Sequence, residues 1–272
     1  MPNLTATRKE IDRRLGARGP FYDPRNRFQL FECFEKLPAL NAVTALPGSG
    51  TTSPTAAEFL AYTLANKSFG VSGGNATTAL CTQAAGGGIT LTTAGGANKT
   101  DSEMISPLVN TSQMSAWGST LWSLSKNLIF RAWIQTPAAT PLASIQFHAK
   151  MALTAALNLT TDDEQFGFSI LNGNWILLQS IAGTDSVPTF NSARIPVAAL
   201  ASTEYELAIL LDSSRVPYFY INGFCVGVGA ATSTTGTPGT WAGLAPVVGV
   251  IQHVDSVVAA ITVRGLQLSR AH

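Results

Sequence analysis

The chain has 272 residues, 46% of them hydrophobic and only 12% charged, with a formal net charge of +1. That length and apolar content allow one large domain with a sizeable core and exclude a disordered chain. The charged fraction is about half of the roughly 25% usual in soluble domains, and the near-zero net charge excludes polyanion binding by bulk electrostatics.

The charge is unevenly placed. Residues 1–36 hold eight basic and five acidic side chains, a local net of +3, whereas the remainder carries a net of −2. The arginines of this segment are Arg8, Arg13, Arg14, Arg18, Arg25 and Arg27. Acids are interleaved with them, which argues against nucleic acid and for docking on an acidic or mixed protein surface. The stretch Arg8–Arg18 is charged where a signal peptide needs apolar residues. No run reaches the ~18–20 apolar residues of a membrane span. Trp241–Val263 comes nearest and is interrupted by His253 and Asp255. The expectation is cytoplasmic synthesis and a soluble chain until a partner is met.

In chain order, residues 7–16 read as a short charged helix, and Pro20, Pro24 and Pro38 forbid a long one. Between these prolines, Phe28, Leu30, Phe31, Phe34 and Leu37 form an apolar stripe at helical spacing, which predicts a short amphipathic helix over 26–36. Its apolar face must pack on the body of the protein or on another chain. Residues 41–57 are rich in Pro, Gly, Ser and Thr, a linker composition. Residues 70–100 are dominated by Gly, Ala, Thr and Asn and predict long loops, with one strand near Ile89–Thr93. The division expected is a docking arm over 1–40, a linker over 41–64 and a β-sandwich over 65–272.

From about residue 128 the pattern turns to β. In Ala143–Thr154 apolar and polar residues alternate throughout, with Ile145, Phe147, Ala149, Met151 and Leu153 on one side, as in a strand with one buried face. Leu128–Thr136 alternates too. Asn172-Gly173 and Asn222-Gly223 each separate two strand-like runs and predict two-residue hairpins, because Asn-Gly accepts the positive φ that a type I′ turn demands. Further strands are predicted at Tyr205–Asp212, Val247–Gln252 and Val258–Leu268. In the last, the apolar phase switches at Gly265, which predicts a bulge there. Repeated short strands without helical patterns between them predict an all-β, antiparallel sandwich.

Two runs then carry a resemblance. Glu204-Tyr-Glu-Leu-Ala-Ile-Leu-Leu-Asp212 and Val216-Pro-Tyr-Phe-Tyr-Ile-Asn-Gly-Phe-Cys-Val-Gly227 are followed by Val247-Val-Gly-Val250 and Ala260-Ile-Thr-Val-Arg-Gly-Leu-Gln-Leu-Ser269. This succession resembles the concanavalin-like or laminin-G-like jelly-roll family. The closing run, together with Ser115–Trp122, resembles the variant found in structural proteins of tailed bacteriophages. The resemblance covers about 65–272 and implies a concanavalin-like jelly roll. It leaves role open, since such sandwiches host lectins, hydrolases and assembly proteins alike.

Candidate sites are few. Glycoside hydrolases of this fold carry a Glu-x-Asp-x-x-Glu strand, and retaining chemistry needs two carboxyls roughly 5–5.5 Å apart. The one Glu-x-Asp here, Glu10-Ile11-Asp12, lies in the charged arm without a third acid. Asp162-Asp163-Glu164 precedes a strand and reads as solvated turn charges; Asp162 and Asp163 are the weak candidates for a calcium ion. Cys33, Cys81 and Cys225 are far apart and lack the spacing of a zinc site or disulfide framework. His148, on the polar side of its strand, has no neighbouring triad partner in the sequence. Gly86-Gly87-Gly88 lacks the Lys-Ser/Thr of a phosphate loop. Trp133 and Trp175 fall in strand patterns and read as packing, whereas Trp241 follows a polar loop and is the candidate ligand or interface anchor.

The sequence thus leads to the expectation of a non-enzymatic virion protein without a cofactor. In that reading it decorates or cements a capsid, binding the major capsid protein lattice through the arm and through Phe28, Phe31 and Phe34. Self-association, with a trimer as one form, belongs to the same expectation. The alternative is a receptor-binding or carbohydrate-binding adhesin of a tail or fibre.

Overall fold

The computed structural model describes residues 27–34, 40–42, 69–72, 81–93, 102–107, 128–139, 142, 145–153, 165–181, 184–231, 244–252 and 257–271. The strands among these residues are β1 (Arg27–Glu32), β2 (Leu40–Ala42), β3 (Phe69–Ser72), β4 (Cys81–Gln83), β5 (Ile89–Thr92), β6 (Ser102–Pro107), β7 (Ile129–Gln135) and β8 (Ile145–Leu153). The second half adds β9 (Gln165–Leu171), β10 (Asn174–Ile181), β11 (Thr184–Ser186), β12 (Glu204–Leu211), β13 (Pro217–Ile221), β14 (Phe224–Val228), β15 (Leu244–Gln252) and β16 (Ala260–Ala271).

They form two sheets. The first runs β14-β13-β12-β7-β16-β5-β4, with β1 also on β16; the second runs β11-β10-β9-β8-β15-β6-β3-β2. Every pairing is antiparallel except β2 with β3. Alternation decides which side chains meet between the sheets. The first sheet sends in Phe130, Ala132, Ile134, Leu207, Ile209, Phe219, Ile261, Val263, Leu266 and Leu268. The second sends in Phe147, Ala149, Phe168, Ile170, Trp175, Leu177, Val248 and Val250. Edge-to-face aromatic contacts join the layers: Phe168 meets Phe219 at 5.6 Å and Trp175 meets Tyr205 at 5.0 Å between ring centroids. Each such pair contributes about 0.5–1.5 kcal/mol beyond its buried area.

Both Asn-Gly pairs form the expected turns, with φ of 51° and 74° at Asn172 and Gly173 and of 51° and 80° at Asn222 and Gly223. The bulge expected at Gly265 is present. β16 shifts register against β7 between Val263 and Gly265, so Arg264 is the extra residue. The segment 195–203 crosses from one sheet to the other. Ala199 N donates to Gly173 O (2.8 Å), and Thr136 Oγ1 donates to Leu200 O (2.6 Å).

One expectation needs correction. Residues 27–32 are not part of an amphipathic helix; they form β1, paired with β16 from Arg27↔Ala271 to Glu32↔Leu266. Alternation of Phe28 and Leu30 fits a strand as well as the stripe fits a helix. Pairing along the open edge of β16 supplies partners for six residues of backbone, which a lone short helix does not have. The sheets therefore take in Arg27–Glu32 and Leu40–Ala42, stretches that the sequence assigned to the arm and the start of the linker. The charged helix expected at 7–16 lies outside the described residues, as does all of 43–64.

Candidate functional site

The outer face of the first sheet carries a layer of polar side chains where a sandwich ordinarily shows separate solvated ones. β7 presents Arg131, Trp133 and Gln135 there, because Phe130, Ala132 and Ile134 take the core side. The register sets Arg131 opposite Gln267 on β16 and opposite Ala208 on β12, and Ala208 opposite Tyr220 on β13. Trp133 stands opposite Glu206. Arg131 Nη1 donates to Gln267 Oε1 (3.3 Å), and Arg131 Nε lies 3.5 Å from Glu206 Oε1. The Arg131 side chain is 5% exposed and that of Glu206 17%.

Burial dominates the ionisation of this pair. It lowers the Arg131 pKa from its ordinary value, opposed by Glu206, and raises that of Glu206, opposed by Arg131. Both directions show desolvation outweighing mutual attraction, as for many buried ion pairs. Tyr220 is pushed up by burial first, then by Cys225 and Tyr218. The Glu206 carboxyl accepts hydrogen bonds and the Arg131 guanidinium beside it donates them. With one indole and two phenols on the same face, the pair could contact a ligand rich in hydroxyls.

Towards one end of this face, Arg264 leaves the bulge and ties β16 to β7, β12 and the β4–β5 turn. It donates to Gly87 O and Gln135 Oε1, and its Nε lies 3.4 Å from Glu204 Oε1. Gly88 fits beneath it because a Cβ there would lie 2.4 Å from Val263 O, and its φ is 85°.

The residues singled out from sequence fall elsewhere. Phe34 is fully buried in the core, and Gln83 Nε2 donates to its carbonyl (2.9 Å). Its ring is therefore enclosed within this chain and does not belong to an exposed docking face. Arg27, Phe28 and Phe31 lie in β1. Arg8, Arg13, Arg14, Arg18, Arg25, Asp162, Asp163 and Trp241 lie outside the described residues. Trp175 is core, and Trp133 is half-buried on the outer face. His148 stands opposite Ser169 and Gly249 in the second sheet. Cys81 is buried, Cys33 half-buried and Cys225 exposed. Among the described residues no group of three His, Cys, Asp or Glu could hold a metal ion, and no helix is long and apolar enough to cross a membrane. The sequence reading missed Arg131 and Glu206. The signal available was a lone charge inside each of two apolar runs, Leu128–Ile134 and Tyr205–Leu211.

No family model matches the chain, and no curated protein does. Solved structures do. Alginate lyase A1-II′, of polysaccharide lyase family 7, superposes with a TM-score of 0.50 at 14% identity, over 84% of this chain and 93% of the lyase. A Shewanella oneidensis MR-1 protein of unknown function matches at 0.49 and 12% identity, over 100% of this chain and 96% of that one. A carbohydrate esterase of the Shiga toxin-encoding bacteriophage phi24B matches at 0.45 and 14% identity, over 77% and 93%. At 14% identity the superposition on the lyase shows the fold alone, a concanavalin-like jelly roll.

The expectation that the chain is not an enzyme is overturned by this comparison, because the sandwich is one on which enzymes are built. That expectation rested on patterns in the sequence: no Glu-x-Asp-x-x-Glu strand, no triad partner near His148 and no phosphate loop at Gly86-Gly87-Gly88. A lyase breaks its substrate by another reaction, so the absence of the hydrolase pattern excludes less than it was asked to.

Proposed function

We propose that the chain is a structural protein of a tailed-bacteriophage virion, a decoration or cement protein held on the major capsid protein lattice by the residues that precede Arg27. The observation that carries this reading is the anchorage of the N-terminal region. β1 is hydrogen-bonded along β16, Phe34 is sunk in the core and Gln83 grips its carbonyl. Residues 1–26, with six basic and three acidic side chains, are thus joined to the sandwich through a built-in strand. Charge of that sign steers association and sets register on an acidic protein surface. The reading includes self-association, with a trimer as the working form, which light scattering of the purified protein tests. The decisive experiment is deletion of 1–26. The remainder keeps its fold and no longer joins particles; full-strength particle binding by the truncated chain refutes the reading.

A second reading is favoured by one observation, the Arg131–Glu206–Gln267 layer flanked by Trp133, Tyr218 and Tyr220. In this reading the outer face of the first sheet binds or cleaves a saccharide. Alginate lyase A1-II′ is the fold neighbour that makes an acidic polysaccharide the first ligand to try. Binding or chain cleavage that is lost in Glu206→Gln would support it, and inertness towards a broad polysaccharide panel would remove it.

A further inference from the structure

The strand register gives the sandwich two distinct ends, and this inference rests on the virion reading above. Arg27 is opposite Ala271, and Ser269 is opposite Ile129. Leu211 N donates to Leu128 O, and Leu211 pairs with Pro217. The Asp212–Val216 turn therefore lies at the same end as Arg27. This turn is closed locally, with Asp212 Oδ1 accepting from the backbone N–H of Ser214 and of Val216.

The other end is defined just as directly. Gln135 pairs with Glu204, and Thr203 N donates to Thr136 Oγ1 (2.9 Å). The crossing segment then reaches Gly173, and the isolated bridge Asn174↔Ala198 seals the contact. Leu207 opposite Ile221 brings the Asn222-Gly223 tip to this end as well. Both Asn-Gly tips thus point away from the Arg27 end.

We infer that the end formed by Arg27, the Asp212–Val216 turn and Ala271 faces the particle, and that the end formed by the two Asn-Gly tips faces outwards. The partner is an acidic protein lattice, selected by the net positive charge of residues 1–26. Arg27, the residue that directly follows 1–26, sits at this root end, which is therefore the part of the sandwich tethered to the surface on which those residues are bound.

The test uses the full chain on purified particles. Ser214→Cys marks the root end and Asn174→Cys the outer end, both at exposed positions, in a Cys225→Ser background that removes the exposed native thiol. Each variant is labelled with maleimide-polyethylene glycol, free and on particles, and thermal midpoints confirm that both are folded. Expected is an unchanged labelling rate at Asn174→Cys and a rate at least ten-fold slower on particles than free at Ser214→Cys. Equal rates at both positions, or protection of Asn174→Cys alone, overturn the polarity while leaving the virion reading intact. Absence of the unsubstituted chain from particles removes both.

Discussion

Arg131→Met separates the two charges of the outer layer from the side that cannot change its protonation. In the folded protein Glu206 then keeps its burial and loses the guanidinium 3.5 Å away. Coulomb's law with an effective dielectric of about 20 puts the gross attraction at that distance near 5 kcal/mol. Glu206 retains 17% exposure, so solvent screening and the removed desolvation of Arg131 leave a net cost of about 1–3 kcal/mol. The sign in pH follows from the raised Glu206 pKa. A raised carboxyl contributes stability that is fully present below the ordinary value of about 4.3 and is lost as pH rises through its folded value. Arg131→Met moves that folded value further up. Its deficit against the parent protein is therefore smallest near pH 4 and grows towards pH 8. Urea midpoints measured across this range read the effect, and Arg131→Met/Glu206→Gln should flatten it. A deficit of equal size at pH 5 and pH 8 would show that Glu206 does not sense Arg131, and the electrostatic account of the layer would fail.

Other perturbations read the packing. Phe34→Ala should lower stability by about 3–5 kcal/mol in denaturant melts, because the ring is fully buried and leaves a cavity; a change under 1 kcal/mol would place Phe34 outside the core. Gly227→Ala should cost about 1–3 kcal/mol, since its Cβ would lie 2.2 Å from Leu177 Cδ1 and 2.9 Å from Thr189 O, and the carbonyl yields less readily than the leucine tip. Asn222→Ala loses both a tolerated positive φ and the hydrogen bond from Glu206 N to Asn222 Oδ1, for about 2–3 kcal/mol. Asn222→Gly restores the backbone freedom and should recover about half of that loss in the same denaturant melts.

What could be read from sequence followed the strength of local signals. The two Asn-Gly hairpins, the alternation of Leu128–Thr136 and Ala143–Thr154 and the phase switch at Gly265 all depend on residues close together in the chain. They were legible for that reason. β3 (FGVS), β4 (CTQ) and β6 (SEMISP) were not, because three to six residues give too short an alternation to mark the faces of a strand. The stripe Phe28, Phe31, Phe34 was ambiguous in itself. Only β16, far away in sequence, decides that Phe28 belongs to a strand and that Phe34 turns inwards, with a φ of 48°. The Arg131–Glu206 layer was invisible for the same reason. Each charge taken alone looks like a solvated side chain, and the register that joins them is a property of the sheet.

β16 also sets the timetable of folding. It is the shared neighbour of β7, β5 and β1, so three strands of the first sheet have no partner on that side until it has been synthesised. During translation the basic N-terminal region leaves the ribosome long before β1 can be paired. Phe34 must wait for the same event to be enclosed. Contacts of this sequence separation make for slow folding and for a nascent chain with exposed strand edges. Closure of the first sheet therefore waits for β16, and a chain lacking β16 would present an open edge to every other copy around it.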